Sequence, residues 1–117
     1  MPKSVMLERA EDFAVKTVNL CNSIKNARKE FVLTQQLTKS ATSIGANIYE
    51  SKYAQSGADF VSKMKIALKE CYETEYWLKI MFKTEYITEV DYKSFIQDCG
   101  AIRRMLISSI NTSENKQ

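Results

Sequence analysis

The sequence predicts an all-α protein, an antiparallel up-down-up-down bundle of four helices. Only one proline and three glycines occur in 117 residues, so few positions interrupt a helix. Apolar residues recur at spacings of three and four along four separate segments, as they do in amphipathic helices. Short connections between the segments favour antiparallel neighbours. We expect a single bundle domain over residues 1–110, followed by a polar, frayed tail over 111–117.

The first two helices are predicted over about residues 4–28 and from Thr34, a candidate N-cap, to about Ala54. The expected inner positions of helix 1 are Ala10, Phe13, Thr17, Leu20 and Ile24. Those of helix 2 are Leu37, Ala41, Ile44 and Ile48. Gly45 is unfavourable inside a helix, and a close approach by a neighbouring helix would explain its presence.

Helices 3 and 4 each open on a capping box, Ser56 to Asp59 and Thr88 to Asp91. Helix 3 is predicted to end near residue 84 and helix 4 near Ile110. The expected inner positions of helix 3 are Val61, Met64, Leu68, Cys71, Glu75, Leu78 and Phe82, with Glu75 the only charged member. Those of helix 4 are Phe95, Cys99, Ile102, Leu106 and Ile110.

Composition argues against catalysis. The chain has no histidine, the commonest general base and metal ligand, and it has neither a P-loop nor a dinucleotide-binding glycine pattern. We therefore expect no enzyme activity, no cofactor and no metal. The three cysteines fall at apolar positions and indicate reduced, buried thiols in a cytoplasmic protein. No segment approaches the ~20 apolar residues that span a bilayer, so no membrane partner is expected.

One polar constellation lies within the predicted core. Asn47 and Glu50 share a face of helix 2, and Glu75 lies on the inner line of helix 3. An acid pair or a metal site would need a better ligand set than two carboxylates and an amide. We favour a buried hydrogen-bond network that fixes the register of helices 2 and 3. A small enzyme would instead use these residues in a concave pocket.

A basic and aromatic stripe follows the outer face of helix 3. It consists of Lys65, Lys69, Tyr72, Tyr76, Lys79 and Lys83, at steps of four and three. Lysines neutralise phosphates and tyrosines stack on unpaired bases, so the stripe is a candidate nucleic-acid surface that Arg103 and Arg104 of helix 4 would extend. Two alternatives remain open: a solvated face with a Lys69–Glu73 pair, or a subunit interface.

Two large apolar residues of helix 3 lie off its inner line. Ile66 and Trp77 share a face with charged residues, which suggests contact with another subunit. The alternative for Trp77 is a loosely packed position in the core.

Two motifs resemble a known family. The run from Gln36 to Glu50, which contains Ser43-Ile44-Gly45-Ala46-Asn47, resembles the signature of bacterial proteins encoded by intervening sequences in 23S ribosomal RNA genes. The segments Asp59-Phe60, 66–70 and 73–78 resemble the third helix of that family. The resemblance extends from about Phe13 to Leu106, and the two motifs occur in the family's order.

The resemblance implies a four-helix bundle that assembles into a homopentamer. Relatives include the accessory variability determinant of diversity-generating retroelements, a basic pentamer that binds nucleic acid and a reverse transcriptase. We therefore interpret the chain as a non-enzymatic oligomer that binds RNA or DNA electrostatically, with a protein partner such as a reverse transcriptase as a further expectation. The alternative function is a protein-interaction scaffold with no nucleic-acid role.

Overall fold

Four α-helices form the bundle in the computed structural model, which describes residues 4–115. They are α1 (Val5–Arg28), α2 (Val32–Ser51), α3 (Gly57–Lys83) and α4 (Glu89–Asn115). Each helix packs against the next along the chain, and α1 also packs against α4. The bundle measures 48 × 24 × 20 Å. The predicted fold class is confirmed.

The side chain of the N-cap residue caps three of the helices. The Oγ atoms of Ser4 and Ser56 accept hydrogen bonds from the backbone N–H of Leu7 and Asp59 at 3.2 and 3.1 Å. Thr88 caps α4 in the same way. The capping box at Ser56 is modified, because the Asp59 carboxylate accepts from the N–H of Gln55 rather than Ser56.

The beginning of α2 differs from the prediction. Thr34 is not the N-cap, because the helix already begins at Val32. The Glu30 carboxylate caps it instead, accepting from the N–H groups of Val32, Leu33 and Thr34 at 2.6–3.0 Å. A glutamate reaches these groups from two residues upstream, and its charge suits the positive end of the helix dipole.

Two helix ends also differ from the prediction. α2 ends at Ser51, and a tighter turn follows in which the N–H of Ala54 donates to the Ser51 carbonyl. α4 continues past Ile110 to Asn115, so residues 111–115 of the expected frayed tail are helical. No proline or glycine interrupts this segment. Residues 116 and 117 lie outside the described part of the chain.

The buried face of α3 is rotated relative to the prediction. Ala67, Thr74 and Met81 are buried. The predicted inner residues immediately after them, Leu68, Glu75 and Phe82, are only half-buried. The rotation turns α3 towards α2, and the buried hydroxyl of Thr74 donates to Ser40 Oγ of α2 at 2.9 Å.

Gly45 lies where α1 approaches α2. A Cβ atom built on Gly45 would lie 3.5 Å from Cβ of Ala10 and 3.7 Å from its backbone carbonyl. These are ordinary van der Waals distances, so the close approach is present but does not by itself require glycine. An alanine fits, whereas a longer side chain would meet the α1 backbone.

We expect Gly45→Ala to stabilise the protein by up to about 1 kcal/mol, because alanine is the better helix former and the site accommodates its Cβ. Gly45→Leu should destabilise it through overpacking against α1. Urea unfolding of the three proteins measures both effects. A clear loss of stability in Gly45→Ala would show that the helices lie closer together than described.

Candidate nucleic-acid interface

The stripe predicted on α3 lies on the exposed surface of the bundle. All six of its side chains are exposed, including Tyr72 and Tyr76, each a little over half exposed. At the usual helical rise the stripe runs for about 27 Å along α3. It can therefore contact several consecutive phosphates of a nucleic-acid strand.

Most lysines of the stripe have no acidic partner. Among residues 4–115, Lys65 alone of the four forms an ion pair, an exposed contact of 3.4 Å with Glu114. The Lys69–Glu73 pair of the alternative interpretation is not formed in this part of the chain. Glu73 instead accepts a hydrogen bond from Nε1 of Trp77 at 3.3 Å. Within the described residues, Lys69, Lys79 and Lys83 thus form no ion pair, although the charges of Lys69 and Glu70 lie close enough to interact.

Arg103 of α4 is fixed beside the stripe. Its Nε donates to Glu75 Oε2 at 2.8 Å, and both side chains are about one quarter exposed. The guanidinium carbon lies 5.8 Å from the centre of the Tyr72 ring. The hydrogen bond to Glu75 raises the pKa of Arg103, so the group stays charged. Glu75 is therefore a surface-edge residue that positions an arginine.

The structure does not bring Asn47, Glu50 and Glu75 together. Asn47 donates to the carbonyl of Ser43 in its own helix at 2.8 Å. Glu50 is exposed and pairs with Lys63 at 3.5 Å. Glu75 faces α4 because α3 is rotated, so the predicted shared network is replaced by three separate contacts.

A buried polar contact between α2 and α3 does exist, but residues other than the predicted three form it. Ser40 and Thr74 are both buried and hydrogen-bonded to each other. The sequence contains a partial signal for it, since Ser40 belongs to a row of small polar residues along α2. Thr74 carries no such signal, because threonine is common at both exposed and buried helical positions.

Ile66 and Trp77 differ in exposure. Ile66 is 40% exposed, whereas Trp77 is half-buried and packs against the core cluster. The Trp77 ring also meets Tyr76 edge-on, with ring centres 5.2 Å apart. Their assignment to a subunit interface stays a prediction.

Glu70 lies on the same side of α3, towards α2. Partial burial raises the pKa of its carboxyl, and the neighbouring negative charge of Glu73 raises it further. A raised carboxyl pKa means that ionisation is less favourable in the folded than in the unfolded chain. The carboxylate of Glu70 therefore reduces stability at neutral pH.

We expect Glu70→Gln to raise the melting temperature at neutral pH, because the amide removes this ionisation penalty. The difference should vanish below the ordinary pKa of 4.5, where glutamate is protonated in both states. Thermal unfolding across the acid range measures it. Glu85→Gln, at an exposed residue that forms no ion pair within residues 4–115, is the control for simple loss of surface charge, and an equal gain in both variants at all pH values would contradict the explanation.

The groove between α1 and α4 holds a cavity of about 270 Å³, lined by Phe13 and by the Lys16–Asp98 ion pair of 2.8 Å, among others. Among residues 4–115, no three His, Cys, Asp or Glu side chains cluster as metal ligands would. In the same range, no helix combines the length and the apolar character needed to cross a membrane.

The three cysteines are free and buried. Burial raises the pKa of the Cys21 thiol. The Cys99 thiol lies 3.6 Å from the backbone carbonyl oxygen of Cys71, and its pKa is raised by its hydrogen bond with Cys71 and by burial. The raised pKa values and the burial make Cys21 and Cys99 less reactive than exposed cysteines at neutral pH.

The fold and the surface define the class of protein: an all-α, up-and-down four-helix bundle with an exposed basic and aromatic stripe. The family model for the 23S rRNA-intervening sequence protein matches residues 3–108. The chain belongs to this family, and the resemblance noted in the sequence is confirmed.

A solved structure is closely similar to the chain. It is a protein of unknown function from the S23 ribosomal protein family of Bacteroides thetaiotaomicron VPI-5482, with 50% sequence identity and a TM-score of 0.89. The match covers 91% of this chain and 98% of that one. None of the proteins with curated descriptions is significantly similar to the chain.

Proposed function

We propose that the protein is a non-enzymatic, cytoplasmic nucleic-acid-binding protein that uses the stripe on α3. The observation that carries the proposal is the exposure of Lys69, Lys79 and Lys83, which form no ion pair within residues 4–115, beside two exposed tyrosines on one helix face. Lysines bind the backbone phosphates and release counterions, while tyrosine rings stack on unpaired bases. The family description refers to 23S rRNA, which makes structured RNA the first ligand to test.

Assembly into an oligomer would strengthen the proposed binding. A net charge of +3 is weak for one chain, but five copies bring it to about +15. We propose the homopentamer that the family resemblance implies, with Ile66 and Trp77 at its subunit contacts. Light scattering after size-exclusion chromatography tests it, since five chains of 13.4 kDa give a particle of about 67 kDa. A monomer at all concentrations would contradict the assembly.

The binding itself is tested by fluorescence anisotropy of a labelled structured RNA and of a matched DNA duplex, each titrated with protein across a range of salt concentrations. We expect saturable binding. The logarithm of the association constant should fall linearly with the logarithm of the salt concentration, with a slope of about −0.7 to −0.9 for each phosphate neutralised. No binding at the lowest salt, or binding that salt does not weaken, would overturn the proposal. Salt-insensitive binding to a protein would favour the scaffold function instead.

A further inference from the structure

Gly100 of α4 lies beneath two arginine side chains. It is buried although it has no side chain of its own. A Cβ atom built on it would lie 3.3 Å from Nη1 of Arg104 and 3.4 Å from Nη2 of Arg103. Because both nitrogens lie so near one point, they are within about 7 Å of each other. Glycine thus leaves the space in which two guanidinium groups converge.

One of these two groups is anchored. Arg103 donates to Glu75 through Nε, and its guanidinium carbon lies over the Tyr72 ring, 5.8 Å from the ring centre. Within residues 4–115, the Nη atoms of Arg103 and the guanidinium nitrogens of Arg104 donate no hydrogen bond. Arg104 also has no carboxylate within ion-pair distance in that part of the chain. Glu75 therefore orients the first arginine while its outer donors stay available.

The charge balance of this cluster favours an anion. Two guanidinium groups this close repel each other, and Glu75 compensates only one of them. An oxyanion placed between them would remove the repulsion and accept hydrogen bonds from both groups. Guanidinium groups match phosphate oxygens well, since their N–H groups form a planar fork.

We propose that Arg103 and Arg104, converging over Gly100, form a phosphate-binding clamp on α4. The clamp adjoins the α3 stripe through Tyr72 and Glu75, so a strand lying on the stripe would place one backbone phosphate in it. That the bound phosphate belongs to a nucleic acid rests on the proposed function. That the site recognises a phosphate oxyanion rests on the arginine pair itself. Arg103 and Arg104 are the binding residues, and Glu75 and Gly100 are positioning residues.

The clamp is tested by NMR of the arginine Nε–Hε resonances in the whole protein. One arm adds inorganic phosphate, and the other adds a short single-stranded oligonucleotide without terminal phosphates. We expect saturable shifts of the Arg103 and Arg104 resonances in both arms. Arg28 is the internal reference, because it lies at the end of α1 and donates to the Glu85 carbonyl.

Two variants separate a clamp from diffuse positive charge. Gly100→Ala inserts a methyl group where the guanidinium groups converge; their flexible ends can move aside, so the fold is retained. Arg104→Lys keeps the charge but removes the planar fork. We expect either change to weaken phosphate binding about fivefold, the effect of losing one hydrogen bond. Circular dichroism verifies that both variants remain folded.

The outcomes distinguish the phosphate clamp from the proposed nucleic-acid binding. Shifts of Arg103 and Arg104 in both arms support the clamp and nucleic-acid binding together. Shifts with inorganic phosphate, together with no binding of the oligonucleotide anywhere on the protein, support the clamp and overturn the binding of a single strand along the stripe. Oligonucleotide binding that leaves these two resonances unmoved, or that both variants retain in full, overturns the clamp and leaves the stripe as the binding surface. No shift in either arm overturns the clamp.

Discussion

Simultaneous replacement of Lys65, Lys69, Lys79 and Lys83 by alanine is expected to weaken binding to structured RNA by roughly a hundredfold or more at low salt. Each lysine that contacts a phosphate releases about one counterion. In the variant, the slope of the logarithm of the association constant against the logarithm of the salt concentration should therefore be less negative by about 3 to 4. We expect the variant to keep its fold, since all four lysines are exposed and none belongs to the core. Anisotropy titrations at several salt concentrations measure both quantities.

A matched control removes the same charge elsewhere. It replaces four lysines that lie outside the stripe, namely Lys39, Lys52, Lys63 and Lys93. In both variants the net charge of the chain falls from +3 to −1. If the control loses as much affinity as the stripe variant, binding depends on total charge and the stripe is not a defined site.

The largest effect on stability is expected for Leu78→Ala. Leu78 is fully buried in α3, and its truncation removes apolar contacts and leaves a cavity that the neighbouring helices fill only in part. We expect a loss of about 2–5 kcal/mol in the free energy of unfolding, a large share of the stability of a small domain. Urea denaturation followed by circular dichroism measures it.

Leu78→Met controls for simple disturbance of the site, because it nearly conserves volume and should cost less than about 1.5 kcal/mol. A loss below about 1 kcal/mol in Leu78→Ala would be inconsistent with a tightly packed position. The experiment also concerns function, because Leu78 belongs to the buried face of α3, and the packing of that face keeps the opposite face, which carries the stripe, exposed.

The sequence predicts the helices well because their signals are local. Ser56 and Thr88 lie three residues before an acidic residue, and both cap a helix as expected. The cap of α2 was missed because Glu30 acts from outside the usual N-cap position, where its longer side chain still reaches three N–H groups. That signal is visible in the sequence only as an acidic residue before an apolar run.

The candidate site was predicted in part. The spacing of the stripe places its members on one face, and the structure shows that face exposed. The partner of Glu75 could not be predicted, because periodicity does not state which neighbouring helix a face meets. Adjacent residues of α3 meet different helices: Thr74 contacts α2, whereas Glu75, one position later, contacts α4. A difference of one residue in the rotation of α3 therefore decides which helix a side chain meets.

The sequence alone determined the number of helices, their approximate limits and the line of basic and aromatic residues on α3. These features depend on interactions within a few residues along the chain, namely helical periodicity, capping and charge spacing. Only the tertiary structure decided which hydroxyls pair in the core, that Glu75 holds Arg103, and that two arginines converge over Gly100. Such contacts depend on how each helix is rotated against its neighbours, which the packing of the whole core sets at once.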